Sequence, residues 1–183
     1  MVLGNIDIVG LQESQDGKLV EPYDPRLVNP ASYNLRLGNS FLRIAGGQQI
    51  GFGDPVEYEE TVLQDGETFI LKPGEFVLGT TIETIRIPIN VAAFVQGRSS
   101  IGRIGLVVQN AGFVDPGFCG EITLELLNTS PCDIALTPGF PVAQLVFMSV
   151  FGCDKAYSGK YVMQSGATGS RMFMDGEWSS VLA

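Results

Sequence analysis

Between residues 56 and 151 the chain is a succession of short β-favouring runs separated by turn signals, and this rhythm restricts the fold more than any other feature. Turns at Asp65-Gly66 and Pro73-Gly74 bracket FIL, and FVLGTTI follows. VAAFVQG (91–97), LVVQ (106–109), EITLELLN (121–128), CDIALTP (132–138) and VAQLVFMSVF (142–151) come next. Upstream, Tyr33, Leu35 and Leu37 alternate with Asn34 and Arg36, and FLRIAGGQQIGF (41–52) reads as a strand turning at Gly46-Gly47. Turn signals at a spacing of roughly 8–12 residues are expected of a sandwich or a closed barrel. No stretch carries a long amphipathic helical period, and no βαβ rhythm is present. The reading is mainly β: an antiparallel, distorted jelly-roll-like β-barrel with one or two short helices. One of these is expected in the first twenty residues, where Ile6, Ile8, Val9 and Leu11 give a weak helical pattern.

At 183 residues the chain is read as a single domain over 1–183, long enough to bury a core unaided. The net charge of −9 argues against a nucleic-acid or anionic-membrane binder, whose contact surfaces are basic. No apolar run reaches the ~20 residues of a membrane span. MVLGNIDIVG lacks the basic start and apolar core of a signal peptide, so the expected location is the cytoplasm. Cys119, Cys132 and Cys153 form no CxxC pair and read as free thiols. The chain has no histidine. That removes Ser-His-Asp triads, Cys-His dyads and histidine-ligated zinc, and leaves acid–base work to carboxylates, lysine or tyrosine.

The chemistry-bearing residues gather in GRSSIGRIGLVVQNAGFVDPGFCGEITLEL (97–126). Arg98, Ser99, Ser100 and Arg103 combine charge, hydroxyls and a permissive glycine, a set that suits a phosphate and equally a capped helix start. It is not a P-loop, because no GxxxxGK[ST] occurs. Asp115-Pro116-Gly117 is a turn sequence, and an Asp there could also accept a hydrogen bond from a sugar hydroxyl or orient a water. Glu125 is the oddity, a carboxylate inside the apolar run ITLELL. Strand alternation sets Glu121, Thr123 and Glu125 on one face, which is either bathed by solvent or lines a pocket. The tail 152–183 is rich in Gly and Ser. It carries Tyr157, Lys160, Tyr161, Gln164 and Arg171, either a solvated end or the means of wrapping a phosphorylated ligand.

PASYNLRLG (30–38), KPGEFVLGTTIETIRIP (72–88), GRSSIGRIGL (97–106), AGFVDPGF (111–118), GEITLELLN (120–128) and GKYVMQSGAT (159–168), in this order, resemble the dCTP deaminase family, within the trimeric deoxyuridine triphosphatase-like group. The resemblance implies that Arg98, Ser99, Ser100 and Arg103 hold the triphosphate, with Ser99 and Arg103 also catalytic and Arg103 near the base. It implies that Asp115 meets the 3′-hydroxyl, that Ala111 and Gly112 contact substrate, and that Thr123 and Leu124 lie beside the pyrimidine. Glu125 matches the catalytic glutamate. Tyr157, Lys160 and Gln164 match residues of a flexible C-terminal arm (152–183) that closes over the phosphates. It further implies a homotrimer with sites between subunits, Mg²⁺ travelling with the triphosphate and no zinc. The substrates would be dCTP and dUTP, with dTTP as a possible feedback inhibitor. The absence of histidine agrees with zinc-independent chemistry, since zinc deaminases need an H-x-E and P-C-x-x-C framework.

Within that family some members release dUTP and others go on to dUMP and diphosphate. The run Asn110-Ala111-Gly112-Phe113-Val114-Asp115 resembles the second kind, which implies a bifunctional dCTP deaminase and dUTP diphosphatase. A dUTP-releasing deaminase, a deoxyuridine triphosphatase alone and a nucleotide-binding regulator are the alternatives. Two departures stand out. Asn34 occupies a position where the family usually has Asp, and the loop before Ala111 is shorter than in many deaminases.

Overall fold

A computed structural model describes residues 1–14, 18–109 and 112–176, the side chain of Gln109 excepted. Helix α1 (Asn5–Ser14) opens the chain. The strands β1 (Val20–Glu21), β2 (Val28–Asn29), β3 (Ser32–Ile44), β4 (Tyr58–Val62), β5 (Phe69–Leu71), β6 (Phe76–Arg86) and β7 (Val91–Gly97) follow. After the one-turn helix α2 (Ser99–Gly102) come β8 (Leu106–Gln109), β9 (Phe113–Val114), β10 (Cys119–Asn128), β11 (Ile134–Leu136) and β12 (Pro141–Ser149). The strand runs read from the sequence therefore form strands, and the two short helices lie where expected.

The principal sheet runs β8-β10-β6-β3-β12-β7-β9, with β1 beside β6 and with β2 and β4 beside β3. Every pairing is antiparallel, including the separate β5–β11 pair. The sheet curls into a half-barrel, so that its two ends meet: a Cβ on Gly97 of β7 would lie 3.3 Å from Val108 Cβ of β8. Inside the curl sit Tyr33, Leu35, Phe41, Leu124, Leu126, Leu145 and Phe147, all with no exposed surface. Burial of such side chains at about 25 cal/mol per Å² of apolar area is what holds a curled sheet closed.

The sequence suggested two strands where β3 is one. PASYNLRLG and the start of FLRI run through Gly38 without a break, and the reason is a bend. A Cβ at Gly38 would lie 2.6 Å from Thr80 Cγ2 and 3.2 Å from Thr81 O. The β3–β6 register shifts between Leu37 and Phe41. Glycine lets the two backbones approach at the bulge, and the bent strand serves β12 with its first half and β4 with its second. Beside the bend, Glu83 of β6 is wholly buried and accepts from Arg36 N–H (2.9 Å) and Arg36 Nε (2.6 Å). Burial raises its pKa despite Arg36. A buried pair of this kind pins two strands together.

Candidate active site

The face of β10 makes the floor of a pocket of about 460 Å³. β10 alternates strictly between partly buried and buried positions along Cys119–Asn128. Glu121, Thr123 and Glu125 thus share the outer face, while Leu124 and Leu126 point into the core. Thr123 and Glu125 line the pocket together with the apolar Leu78, Val95 and Phe118. Gly112 and Asp115 form one rim. Asp115 heads a tight turn in which Phe118 N–H donates to Asp115 O (3.1 Å), with Gly117 at φ 85° as residue i+2.

The roof comes from residues 157–170. Tyr157, Tyr161, Gln164, Thr168 and Ser170 complete the lining. This segment has no regular secondary structure, so its backbone groups find partners on the sheet instead. Tyr157 N–H donates to Pro116 O (2.7 Å) and Met163 N–H to Cys119 O (2.6 Å). Ala167 N–H donates to Ser40 Oγ (3.0 Å), Thr168 N–H to Thr123 Oγ1 (3.1 Å) and Ser170 N–H to the Tyr58 hydroxyl (2.9 Å). Gly117 is a point of close approach by the arm. A Cβ there would stand 2.5 Å from Ala156 Cβ and 2.9 Å from Tyr157 N. We expect Gly117→Ala to lower stability by about 1–2 kcal/mol from the positive φ alone and to displace the arm. Thermal melting and faster proteolysis after Lys160 would register the two effects separately.

Glu125 is the chemically distinctive group. Burial raises its pKa, with no charged partner lowering it again. Among the described residues its carboxylate makes no hydrogen bond or ion pair. The contrast with Glu83 is informative: that carboxylate is more deeply buried than Glu125 but is tied to Arg36. An unpartnered carboxylate held above its ordinary range, facing a pocket, is suited to exchanging protons with a bound molecule.

The structure thus brings Gly112, Asp115, Thr123, Glu125, Tyr157 and Gln164 to one cavity. It does not bring Arg98, Ser99, Ser100 or Arg103 there. Arg98 Nη1 donates to Pro141 O (2.9 Å). Ser99, Ser100 and Arg103 are exposed around α2, and among the described residues their side chains make no hydrogen bond or ion pair. Lys160 lines a neighbouring open hollow with Tyr157 and Tyr161 and is paired with Asp175. Leu124 is not in the lining, its side chain being in the core. Asn34 is buried on β3 opposite Gln144 and is not part of the wall. Ala111 and the loop residue Asn110 lie outside the described residues. Sequence reasoning passed over Tyr58 and Glu121. Tyr58 carried no signal, whereas Glu121 stood on the same strand face as Glu125.

Among the described residues no group of three or more His, Cys, Asp or Glu side chains could hold a metal ion. No helix among them is long and apolar enough to cross a membrane.

A profile of the family described as dCTP deaminase-like matches residues 2–150. The chain is 43% identical over 189 residues to a protein named dCTP deaminase, dUMP-forming, from Dictyoglomus thermophilum, with 96% of each chain covered. It is 43% identical over 196 residues to a dCTP deaminase from Halorubrum lacusprofundi, covering 98% of this chain and 95% of the relative. Among solved structures, the 2′-deoxycytidine 5′-triphosphate deaminase of Agrobacterium tumefaciens is similar with a TM-score of 0.61 at 22% identity. That likeness covers 80% of this chain and 47% of that one, and it speaks for the curled β fold. The strand face carrying Glu125, the glycine–aspartate rim and these likenesses have one reading: the chain belongs to the dCTP deaminase-like family.

Proposed function

We propose that the chain converts dCTP to dUMP, ammonia and diphosphate, acting as a dUMP-forming dCTP deaminase. The observation that carries the reading is Glu125, a carboxylate with raised pKa and no partner, on the floor of a cavity large enough for a nucleoside. In the first step Glu125 takes a proton from water as the hydroxyl adds to C4 of cytosine. The carboxyl passes that proton to N3, then takes the proton of the new C4 hydroxyl and hands it to the departing nitrogen, which leaves as ammonia as C4=O forms, giving dUTP. In the second step a water attacks the α-phosphorus, and diphosphate leaves from dUMP. Asp115 on the rim meets the deoxyribose 3′-hydroxyl and orients that water. Thr123 and the Leu124 backbone flank the pyrimidine, while the arm with Tyr157, Lys160 and Gln164 closes over the phosphates. The nucleotide enters as its magnesium complex, since a polyphosphate supplies the oxygens this ion prefers and the pocket offers no carboxylate cage. A cytoplasmic location suits such a substrate. dTTP, which differs mainly at C4 and C5, would compete for the same cavity.

Incubating the purified chain with dCTP and Mg²⁺ and separating nucleotides tests this directly. dUMP with one ammonia and one diphosphate per turnover is the expected result. Accumulation of dUTP would leave the deaminase and remove the second step, matching a relative named simply dCTP deaminase.

The stranded set Arg98, Ser99, Ser100 and Arg103 supports a trimer in which these side chains reach a neighbouring copy's pocket, with Arg103 near the base and Ser99 beside the reacting centre. We expect Glu125→Gln and Arg103→Ala chains, each inactive alone, to regain about a quarter of wild-type activity when mixed and reassembled. In a cyclic trimer that fraction of sites joins an intact Glu125 to an intact Arg103. Gel filtration at monomer size, or no recovery on mixing, would oppose this arrangement.

A further inference from the structure

β10 presents two carboxylates on its outer face, ~13 Å apart by strand rise, and the structure treats them in opposite ways. Glu125 has no partner, whereas Glu121 is engaged by both oxygens. Gly166 N–H donates to Glu121 Oε2 (2.6 Å), and Ser165 Oγ–H to Glu121 Oε1 (3.1 Å). Thr80 Oγ1, on a nearly buried residue of β6, donates to Oε2 from the sheet side (3.2 Å) and fixes the carboxylate's orientation. The main chain joins in, since Glu121 N–H donates to Gln164 O (3.0 Å) and Gln164 Nε2 donates to Glu121 O (2.7 Å). Among the described residues no other side chain of the sheet grips the arm this way; Ser40, Thr123 and Tyr58 each accept a single arm N–H.

We propose that Glu121 is the latch of the C-terminal arm: a positioning residue that holds Gln164–Gly166 down on β10 and thereby keeps the roof of the pocket closed. Residues 164 and 168–170 line the cavity directly, so what fixes 164–166 sets the height of the roof. Hydrogen bonds to an ionised acceptor are about twice as strong as neutral ones, which suits a single fastening. Glu121 is also only half-buried, so water can replace the arm's donors when the nucleotide enters or leaves. Gly120 belongs to the same device. A Cβ there would sit 3.0 Å from Gln164 N and 3.1 Å from Gln164 O, so the arm would have to give way slightly.

The kinetic side of this proposal rests on the deaminase reading, but the structural side does not. The test therefore has two parts, on Glu121→Ala and Glu121→Gln in the full chain. Without nucleotide, trypsin cleavage after Lys160 and Arg171 is expected to be roughly ten-fold or more faster for Glu121→Ala, the size of effect that losing charge-assisted bonds gives. Saturating dCTP should restore much of the protection. Glu121→Gln should fall between wild type and Glu121→Ala, because its carbonyl can still accept from Gly166 and its amide donate to the Ser165 hydroxyl, but without the charge. With dCTP, Glu121→Ala should raise KM roughly ten-fold while kcat stays within about three-fold, and its melting temperature should change little. Wild-type trypsin rates in Glu121→Ala would overturn the latch whatever the enzyme's substrate. A fall in kcat with KM and cleavage unchanged would overturn it too, placing Glu121 in the chemistry. A chain that fails to deaminate dCTP would refute the function while leaving the proteolysis result to judge the latch.

Discussion

Replacing Glu125 by Gln is expected to lower ammonia release from dCTP at least about a thousand-fold, the upper range of what a positioned acid–base group contributes, while dCTP still binds. The substitution keeps volume and polarity and removes only the ability to take and return a proton. Because burial raises the Glu125 pKa, the wild-type rate should fall on the acid side at a pH above the ordinary glutamate value of about 4.3, since the ionised form is the one that accepts the proton from water. The same shift has a consequence for folding. The folded chain keeps the Glu125 proton to higher pH than the unfolded chain does, so this group favours folding below the ordinary glutamate value. The contribution is lost as pH rises through the raised one. Gln carries no charge at any pH. Glu125→Gln should therefore melt at the same temperature as wild type or higher at pH 8, and lose that advantage in acid. An inactive variant that is also as stable or more so is the signature of a group kept for chemistry at the expense of stability. Retained ammonia release, or a large drop in melting temperature, would refute the role.

The strands were legible because every one of them is antiparallel and most are half-buried, the condition under which alternation survives in the sequence. β10 is the clearest example: its period-2 pattern alone sets Glu121, Thr123 and Glu125 on a shared face. What alternation could not supply was closure. Nothing in Gly38 announces that it bends β3 across two halves of the barrel, because the reason lies in Thr80 and Thr81, some forty residues away. Carboxylates show the same limit. Glu83 and Glu125 both interrupt apolar runs, TTIETI and ITLELL, yet one pins Arg36 and the other faces a cavity. Only the fold separates them, since a partner is a property of space and not of the run. The arm was legible in composition but not in conformation. Its backbone donors are satisfied by Ser40, Tyr58, Thr123 and Glu121, residues scattered over 80 positions that no local pattern links.

Gly112 is where the two chemical steps should come apart. It lies on the pocket rim next to Phe113 and three residues before Asp115, and its carbonyl accepts from Val95 N–H of β7 (2.9 Å), which fixes the rim to the barrel. In the proposed second step, the absence of a side chain here leaves room beside Asp115 for the water that attacks the phosphate. In the proposed mechanism Glu125, on the β10 face of the same cavity, acts at the base. A valine at 112 fills the rim with an apolar branched group and displaces that water without touching the carboxylate of β10. We therefore expect Gly112→Val to cut diphosphate release by about a hundred-fold or more, the loss that follows when a positioned reactant is misplaced. Ammonia release should persist within about ten-fold, so that dUTP accumulates as the product. Measuring both products in one reaction supplies the internal control: a variant that merely misfolds loses both in parallel. Parallel loss in a chain that still melts cooperatively would remove Gly112 as the divider of the two steps. Continued dUMP formation at the wild-type rate would do the same, and would shift attention from the rim to the arm as the place where the water is held.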